Sequence, residues 1–242
     1  LAQNDARIDS FRAGGSFQIE SPDLEAIQRF RGSIVFQRPA NLYVQGNHRI
    51  TNIPVFKLAC AGPEFVMEFP GNMDQSFYQV EGEQFEDVPF SVSPSDIVRE
   101  LFLPEEWGSL KRRDARVVGY DPQTQVASMT VGPADRPRRV VELVRVDAAD
   151  PRWVPRRDVR LTDAGGVLAI TTLDEYTNVD GALFPTHVDA HFPTEATRMI
   201  FSMRGIRLNL DVSEDQFRVR DRARELNLEA RTAVSNNSAA AN

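Results

Sequence analysis

Apolar and polar side chains alternate along most of this chain. The clearest case runs from Gly32 to Gly46, where apolar residues recur at every second position on both sides of an Arg38-Pro39 step. A period of two is typical of a β-strand with one buried face. Pro39 has no amide hydrogen to donate to a strand ladder, which places it at a strand end or turn. The pattern therefore predicts two strands joined at this step.

Similar segments follow one another along the chain, bounded by Gly, Pro or Asp-Gly turns. Besides the two strands within residues 26–46, we predict strands at residues 16–21, 53–61, 64–69, 76–81, 116–120, 125–131, 140–146, 153–161, 167–178, 183–192 and 197–210. Their short connections favour antiparallel pairing. About a dozen strands are too many for one flat open sheet. The prediction is a mainly β (α+β) fold, a strongly curved antiparallel sheet that forms an incomplete β-barrel of about 11–12 strands.

One segment breaks the alternation and is predicted to be a short helix over residues 93–103. Ser93 is a candidate N-cap, Pro94 suits the first helical position, and Pro104 ends the segment. Because a helix of about ten residues is marginal alone, it is expected to pack on the sheet. Its apolar residues form one stripe at helical spacing: Ile97, Val98, Leu101 and Phe102.

The two ends of the chain are predicted to differ from the strand-rich middle. Ile8 and Phe11, three residues apart in polar surroundings, indicate a weakly amphipathic N-terminal helix over residues 1–12. Residues 221–231 have the charge spacing of a helix, and residues 235–242 are small, polar and predicted to be disordered.

Composition limits the function classes. The chain has 242 residues, 41% of them hydrophobic, which suffices for a sizeable core; we expect one domain over residues 1–219 and a C-terminal extension over residues 220–242. The 28 basic and 35 acidic residues give a net charge of -7, which argues against a general affinity for nucleic acid or anionic lipid. The single Cys60 cannot form an intramolecular disulfide, and its apolar neighbours predict a buried thiol.

Candidate catalytic and metal-binding residues are few. His187, Asp189 and His191 would share one face of a strand, which resembles a set of metal ligands. Three ligands in line along a strand span about 13 Å, too far for one ion, so we interpret them as a solvent-facing row. The sequence contains no GxSxG, no P-loop and no GxGxxG after a strand. We therefore expect a protein that is not an enzyme and has no metal or cofactor.

Four segments resemble one family of envelope proteins. GSIVFQRPANLYVQG is similar to the strand-Arg-Pro-strand signature of the LolA/LolB-like lipoprotein carriers, EFVMEFPGN to the strands that follow, and SPSDIVRELF to their lid helix. The Asp180-Gly181 turn, with Asn209 and Asp215-Gln216-Phe217 after it, matches the family's closing strands in order. The likeness covers about residues 5–219 of this chain.

This resemblance implies a half-barrel covered by helices, with an apolar cavity for acyl chains. Arg38 falls on the Arg of the family's Arg-Pro motif, which implies that it bonds the lid helix and holds the cavity closed. The expected partners are lipid or lipoprotein acyl chains and an outer-membrane or periplasmic protein; the expected location is the periplasm or the periplasmic side of the outer membrane, as a monomer. The residues expected at the cavity and lid are Arg38, Phe36, Val44, Phe56, Phe65, Ile97, Leu101 and Phe102.

Three functions stay open at this stage. The first is a non-enzymatic carrier or receptor for lipid or lipidated protein. The second is an envelope scaffold with the same fold and a filled cavity, because protein interiors are normally close-packed. Hydrolysis is the third, although no matched acid and base is found for it.

Overall fold

A computed structural model describes residues 7–22, 24, 26–80, 115–146 and 152–228. These residues form thirteen strands of one antiparallel sheet. The strands are β1 (Ser10–Glu20), β2 (Gln28–Gln37), β3 (Asn41–His48), β4 (Pro54–Ala61), β5 (Glu64–Glu68), β6 (Phe77–Gln79), β7 (Ala115–Asp121), β8 (Val126–Val131), β9 (Arg139–Val146), β10 (Arg152–Leu161), β11 (Val167–Val179), β12 (Ala182–Phe192) and β13 (Thr197–Leu208).

The order of the strands in space follows the sequence with one exception. Neighbours in sequence pair with each other throughout β1–β6 and β7–β13, and β1 also pairs with β13. This pair joins the two halves of the sheet and leaves β6 and β7 as its edges. The sheet is not closed, which confirms the prediction of a mainly β fold with an incomplete barrel.

The predicted strands agree with the observed ones apart from shifts at their ends, with one error at the N-terminus. β1 begins at Ser10, so the last three residues of the predicted helix over residues 1–12 belong to a strand, and residues 7–9 are not helical. The error arose because the spacing of Ile8 and Phe11 fits a helix, whereas Phe11 is the first of several residues that alternate in burial along β1. The predicted lid helix over residues 93–103 lies outside the described residues.

Three glycines on neighbouring strands stand in one row across the sheet. Gly15 of β1 is opposite Gly32 of β2, which is opposite Gly46 of β3. A Cβ atom on Gly15 would lie 2.2 Å from the carbonyl oxygen of Ser202, and one on Gly32 would lie 1.8 Å from that of Gln45. Gly15 and Gly32 therefore mark positions where neighbouring backbones approach too closely for any side chain, as expected where a sheet is strongly coiled. A Cβ atom on Gly46 would instead lie 2.1 Å from Cε1 of the Phe56 ring.

Two 3₁₀ turns and one α-helix accompany the strands in the described residues. The turns are Met73–Gln75 and Glu214–Phe217, and the helix, α1, is Val219–Glu225. The prediction of a C-terminal helix is thus correct, although α1 begins two residues before the predicted start and ends earlier than residue 231. No helix among the described residues is long and apolar enough to cross a membrane.

Helix α1 packs on the outer face of β4–β6. Its buried residues, Val219 and Ala223, form a small core cluster with Ala59, Val66 and Tyr78. This contact fixes the segment that follows β13 against strands from the first half of the chain.

Ion pairs at the edge of this cluster connect the helix to β5. Arg220 pairs with Glu64, and Arg222 Nη2 lies 2.6 Å from Glu68 Oε2. The hydrogen bond from Arg220 lowers the pKa of Glu64. Burial raises the pKa of Glu68, but hydrogen bonds from Arg222 and Lys57 outweigh it and leave this pKa below its ordinary value. Both carboxylates are therefore stabilised in the charged form by the docked helix.

Candidate functional site

One face of the sheet is apolar across nine of its strands. Buried side chains of β1–β6 and β11–β13 form a single core cluster, which we call the apolar face. Strands β8 and β9 contribute to a separate, smaller cluster with Trp153 of β10. The buried phenylalanines of the apolar face are Phe11, Phe17, Phe36, Phe56, Phe65, Phe77, Phe184, Phe192 and Phe201.

Four of the residues expected at the cavity lie together on this face. Phe36, Val44, Phe56 and Phe65 come from four consecutive strands, β2–β5, and are 4–7% exposed. Alternation along each strand brings them to the same side of the sheet, as their spacing in the sequence indicated. Their position on the apolar face is thus established, whereas their contact with a ligand stays a prediction. The lid residues expected with them, Ile97, Leu101 and Phe102, lie outside the described residues.

Sequence reasoning missed the contributions of β12, β13 and Phe11 of β1 to this face. Phe11 was assigned to a helix, yet its ring lies 5.6 Å from that of Phe36 and 4.8 Å from that of Phe184. Phe17 contacts Phe201 at 5.3 Å between ring centroids. The signal was present in the sequence, since Phe11, Ala13, Gly15 and Phe17 alternate with polar or small residues.

Methionines also line the apolar face. Met67 lies on β5, and Met199 and Met203 lie on β13, all less than 9% exposed. Because Met has a flexible, unbranched and polarizable side chain, it adapts its shape to a neighbour more readily than Val or Ile does. The face thus combines rigid aromatic rings with side chains that can adjust.

Arg38 joins the β2–β3 turn to the segment before β1. Its backbone N–H donates to the carbonyl oxygen of Asp9 at 2.8 Å, and its side-chain Nε donates to that of Ile8 at 2.7 Å. Ile8 is itself part of the apolar face. Arg38 therefore fixes the backbone of Ile8 next to the β2–β3 turn through a charge-assisted hydrogen bond. The predicted contact of Arg38 with residues 93–103 falls outside the described residues and stays a prediction.

Burial keeps two ionisable groups at the apolar face, Cys60 and Tyr176, uncharged. Cys60 is 1% exposed, and burial raises the pKa of its thiol well above the ordinary value, which confirms the prediction of a buried cysteine. Burial, with a smaller contribution from Asp174, likewise raises the pKa of Tyr176, whose hydroxyl donates to the carbonyl oxygen of Pro155. Neither group carries a charge near neutral pH, so neither adds a charge to the apolar face.

The row of His187, Asp189 and His191 has other partners. Both carboxylate oxygens of Asp189 accept hydrogen bonds from Arg198, at 2.9 and 2.6 Å. The Nδ1 atom of His187 lies 3.2 Å from the hydroxyl oxygen of Ser202. Among the described residues, no group of three His, Cys, Asp or Glu side chains is arranged to hold a metal ion.

Comparison of the sequence with known protein families and with curated proteins finds no match. Solved structures share the fold. A DUF1329 family protein from Desulfovibrio piger is similar with a TM-score of 0.58 at 12% identity, over 91% of this chain and 94% of that one. A LolA superfamily protein from Nitrosomonas europaea has a TM-score of 0.52 at 13% identity, over 89% and 94%. A putative outer membrane lipoprotein-sorting protein domain from Vibrio parahaemolyticus has a TM-score of 0.55 at 10% identity, over 89% and 93%.

These likenesses extend over most of both chains in each comparison. At identities of 10–13% they establish the fold and leave the function to be argued from the residues. The fold expected from the Arg-Pro segment and its neighbours is therefore confirmed.

Proposed function

We propose that this protein binds the acyl chains of a lipid or a lipidated protein on its apolar face, as a non-enzymatic carrier or receptor of the bacterial cell envelope. The observation that carries the proposal is the apolar face itself, a single cluster of aromatic and aliphatic side chains that extends over nine strands. Hydrocarbon chains have no hydrogen-bonding groups, so such a surface suits them by the hydrophobic effect alone.

The fold supports the same proposal. One of the structures that share it is described as a putative outer membrane lipoprotein-sorting protein domain. We propose the periplasm, or the periplasmic side of the outer membrane, as the location of this chain. Its partners would be lipidated proteins or their acyl groups, together with an envelope protein that delivers or receives them. We propose that it acts as a monomer, with Phe36, Val44, Phe56 and Phe65 among the ligand contacts.

A scaffold with a filled interior is the second candidate. The observation that favours it is the burial of Phe36 and Phe65, which are 5% and 4% exposed. A face whose side chains are covered by protein atoms has room for an acyl chain only if some of those atoms move. The two candidates therefore differ in whether atoms around the apolar face move to make room for a ligand.

Substitution of Ala190 by Phe separates the two candidates. Ala190 lies on β12, is 1% exposed and belongs to the apolar face, and the adjacent His191 is exposed on the opposite side. If the face accepts acyl chains, Ala190→Phe occupies part of that space, weakens binding of a fluorescent fatty acid to the delipidated protein, and lowers the melting temperature only slightly. His191→Phe is the matched control and should bind like the wild type.

A filled interior gives the opposite result in the same experiment. Wild-type protein would then show no saturable binding of the fluorescent fatty acid. Ala190→Phe would instead overpack the core, at a cost of about 1–3 kcal/mol in the free energy of unfolding.

A further inference from the structure

A cleft of about 580 Å³ lies at strands β1, β2 and β13, and its lining includes Phe17 and Met203 of the apolar face. Its polar lining residues alternate in sequence with buried or half-buried residues that pack on the apolar face, so they point to the opposite side of the sheet. The polar residues of its lining on these strands are Ser16 and Gln18 of β1, Arg29 and Arg31 of β2, and Ser202 and Arg204 of β13. Neither the proposed function nor the shared fold assigns a role to this cleft.

The cleft is strongly basic in a chain with a net charge of -7. Arg49, in the turn between β3 and β4, joins Arg29, Arg31 and Arg204 in its lining, against a single acidic residue, Glu175. All four arginines are exposed. Among the residues that the structure describes, none forms an ion pair with Arg31, Arg49 or Arg204.

Several arginines elsewhere in the protein form ion pairs. Arg198, also on β13, donates to both oxygens of Asp189. On the outer side of β5, Arg220 and Arg222 pair with glutamates. Four exposed guanidinium groups around one cleft, with a single carboxylate in its lining, produce a local positive potential that the net charge does not reveal.

Two hydroxyl groups extend the row of arginines across the cleft, one of which, Ser202 Oγ, also lies 3.2 Å from Nδ1 of His187. Arg31 of β2 is opposite Ser16 of β1, and Ser16 is opposite Ser202 of β13. Neighbouring strands are about 4.8 Å apart, so a guanidinium group and two hydroxyls lie in line on one face. Arg204 follows Ser202 by two residues and therefore points to the same side.

We propose that this cleft binds a phosphate group, carried by a phospholipid headgroup or by a soluble phosphoester. Guanidinium groups bind phosphate oxygens in a bidentate manner, and serine hydroxyls donate to the remaining oxygens. The expected absence of a general affinity for anionic lipid concerns the whole surface, whereas this site depends on a few side chains within one cleft. The binding is predominantly electrostatic and weakens as salt is added.

The proposal is tested on the full chain with two kinds of probe. Glycerol 3-phosphate, titrated into the protein by isothermal calorimetry, represents the soluble phosphoester. Sedimentation with vesicles of phosphatidylcholine, with and without phosphatidylglycerol, represents the headgroup. Saturable binding of glycerol 3-phosphate alone assigns the site to a soluble ester, and binding only to vesicles that contain phosphatidylglycerol assigns it to a lipid. Either result supports a phosphate site, and the absence of both overturns it.

Two double variants show whether the cleft is responsible. Arg31→Gln with Arg204→Gln should weaken binding about tenfold or more, because both remove charge-assisted donors. Arg12→Gln with Arg207→Gln is the control, since these two exposed arginines face each other on β1 and β13, outside the cleft, and remove the same charge. An equal loss of binding in both double variants would show that binding depends on the charge of the whole surface and not on the cleft, which would contradict the proposal. Arg31→Lys with Arg204→Lys keeps the charge but loses the bidentate geometry, so it should restore binding only in part.

Discussion

The rings of Phe11 and Phe184 lie 4.8 Å apart between centroids, at an interplanar angle of 63°. Phe11 is on β1 and Phe184 on β12, and β13 lies between these strands in the sheet. Side chains that meet across an intervening strand require a sheet that curves towards them. The contact therefore shows that the sheet curves at this point. The same curvature brings the buried side chains of the apolar face into one cluster.

This pair should be energetically coupled. Phe11→Ala and Phe184→Ala should each lower the free energy of unfolding by about 3–5 kcal/mol, as expected for buried phenylalanines. In a double-mutant cycle measured by chemical denaturation, the coupling between them should reach about 0.5–1.5 kcal/mol. Phe11 and Met129, which belong to separate core clusters, serve as the control and should be additive within about 0.5 kcal/mol. A coupling for Phe11 and Phe184 no larger than the control's would disprove the contact.

Gly32 should not tolerate a side chain. Gly32→Ala places a Cβ atom against the backbone carbonyl of Gln45, which cannot rotate away, so we expect a loss of about 1–3 kcal/mol in the free energy of unfolding. Gly119→Ala, in edge strand β7, is the matched control because no atom lies within 4 Å of its Cβ position. That variant should be neutral or slightly more stable. Equal stability of the two variants in thermal melting would refute the role of the glycine row.

Docking of α1 on β5 should weaken in acid. The pKa values of Glu64 and Glu68 lie below their ordinary value of 4.5 in the folded protein. Their contribution to stability is therefore complete above pH 4.5 and is lost as the pH falls through the folded pKa values, because the unfolded chain takes up protons first. Glu68→Gln should lower the free energy of unfolding by about 1 kcal/mol at neutral pH. The difference from the wild type should shrink as the pH is lowered to about 3.

A control substitution belongs to the same measurement. Glu225 also pairs with Arg222, but its side chain is 64% exposed, and Glu225→Gln should have little effect at any pH. If the free energy of unfolding of Glu68→Gln stays below that of the wild type by the same amount from neutral to acidic pH, packing and not charge holds the helix.

The strands could be predicted from sequence because their signal is local. Alternation of apolar and polar residues in a strand such as β13 depends only on which face is buried, and the turns carry their own residues, such as Asp180 and Gly181. The grouping of Phe36, Val44, Phe56 and Phe65 followed from the same period.

Contacts between distant segments could not be predicted in this way. The pairs that fix α1 join Arg220 to Glu64, 156 positions apart, and nothing in either local sequence identifies the partner. The basic cleft was missed for the same reason, since Arg31 and Arg204 line one cleft only because β1 pairs with both β2 and β13. The net charge is a sum over the whole chain, so it does not reveal a local group of arginines.

The central claim is that acyl chains bind to the apolar face, and native mass spectrometry of the purified protein tests it most directly. The account predicts species heavier than the chain by the mass of an acyl lipid, which disappear after delipidation and return when fatty acid or lipid is added back. Ala190→Phe should carry less of this lipid than His191→Phe. A single species at the mass of the chain, before and after addition of lipid, would contradict the account and favour the second candidate, a scaffold with a filled interior.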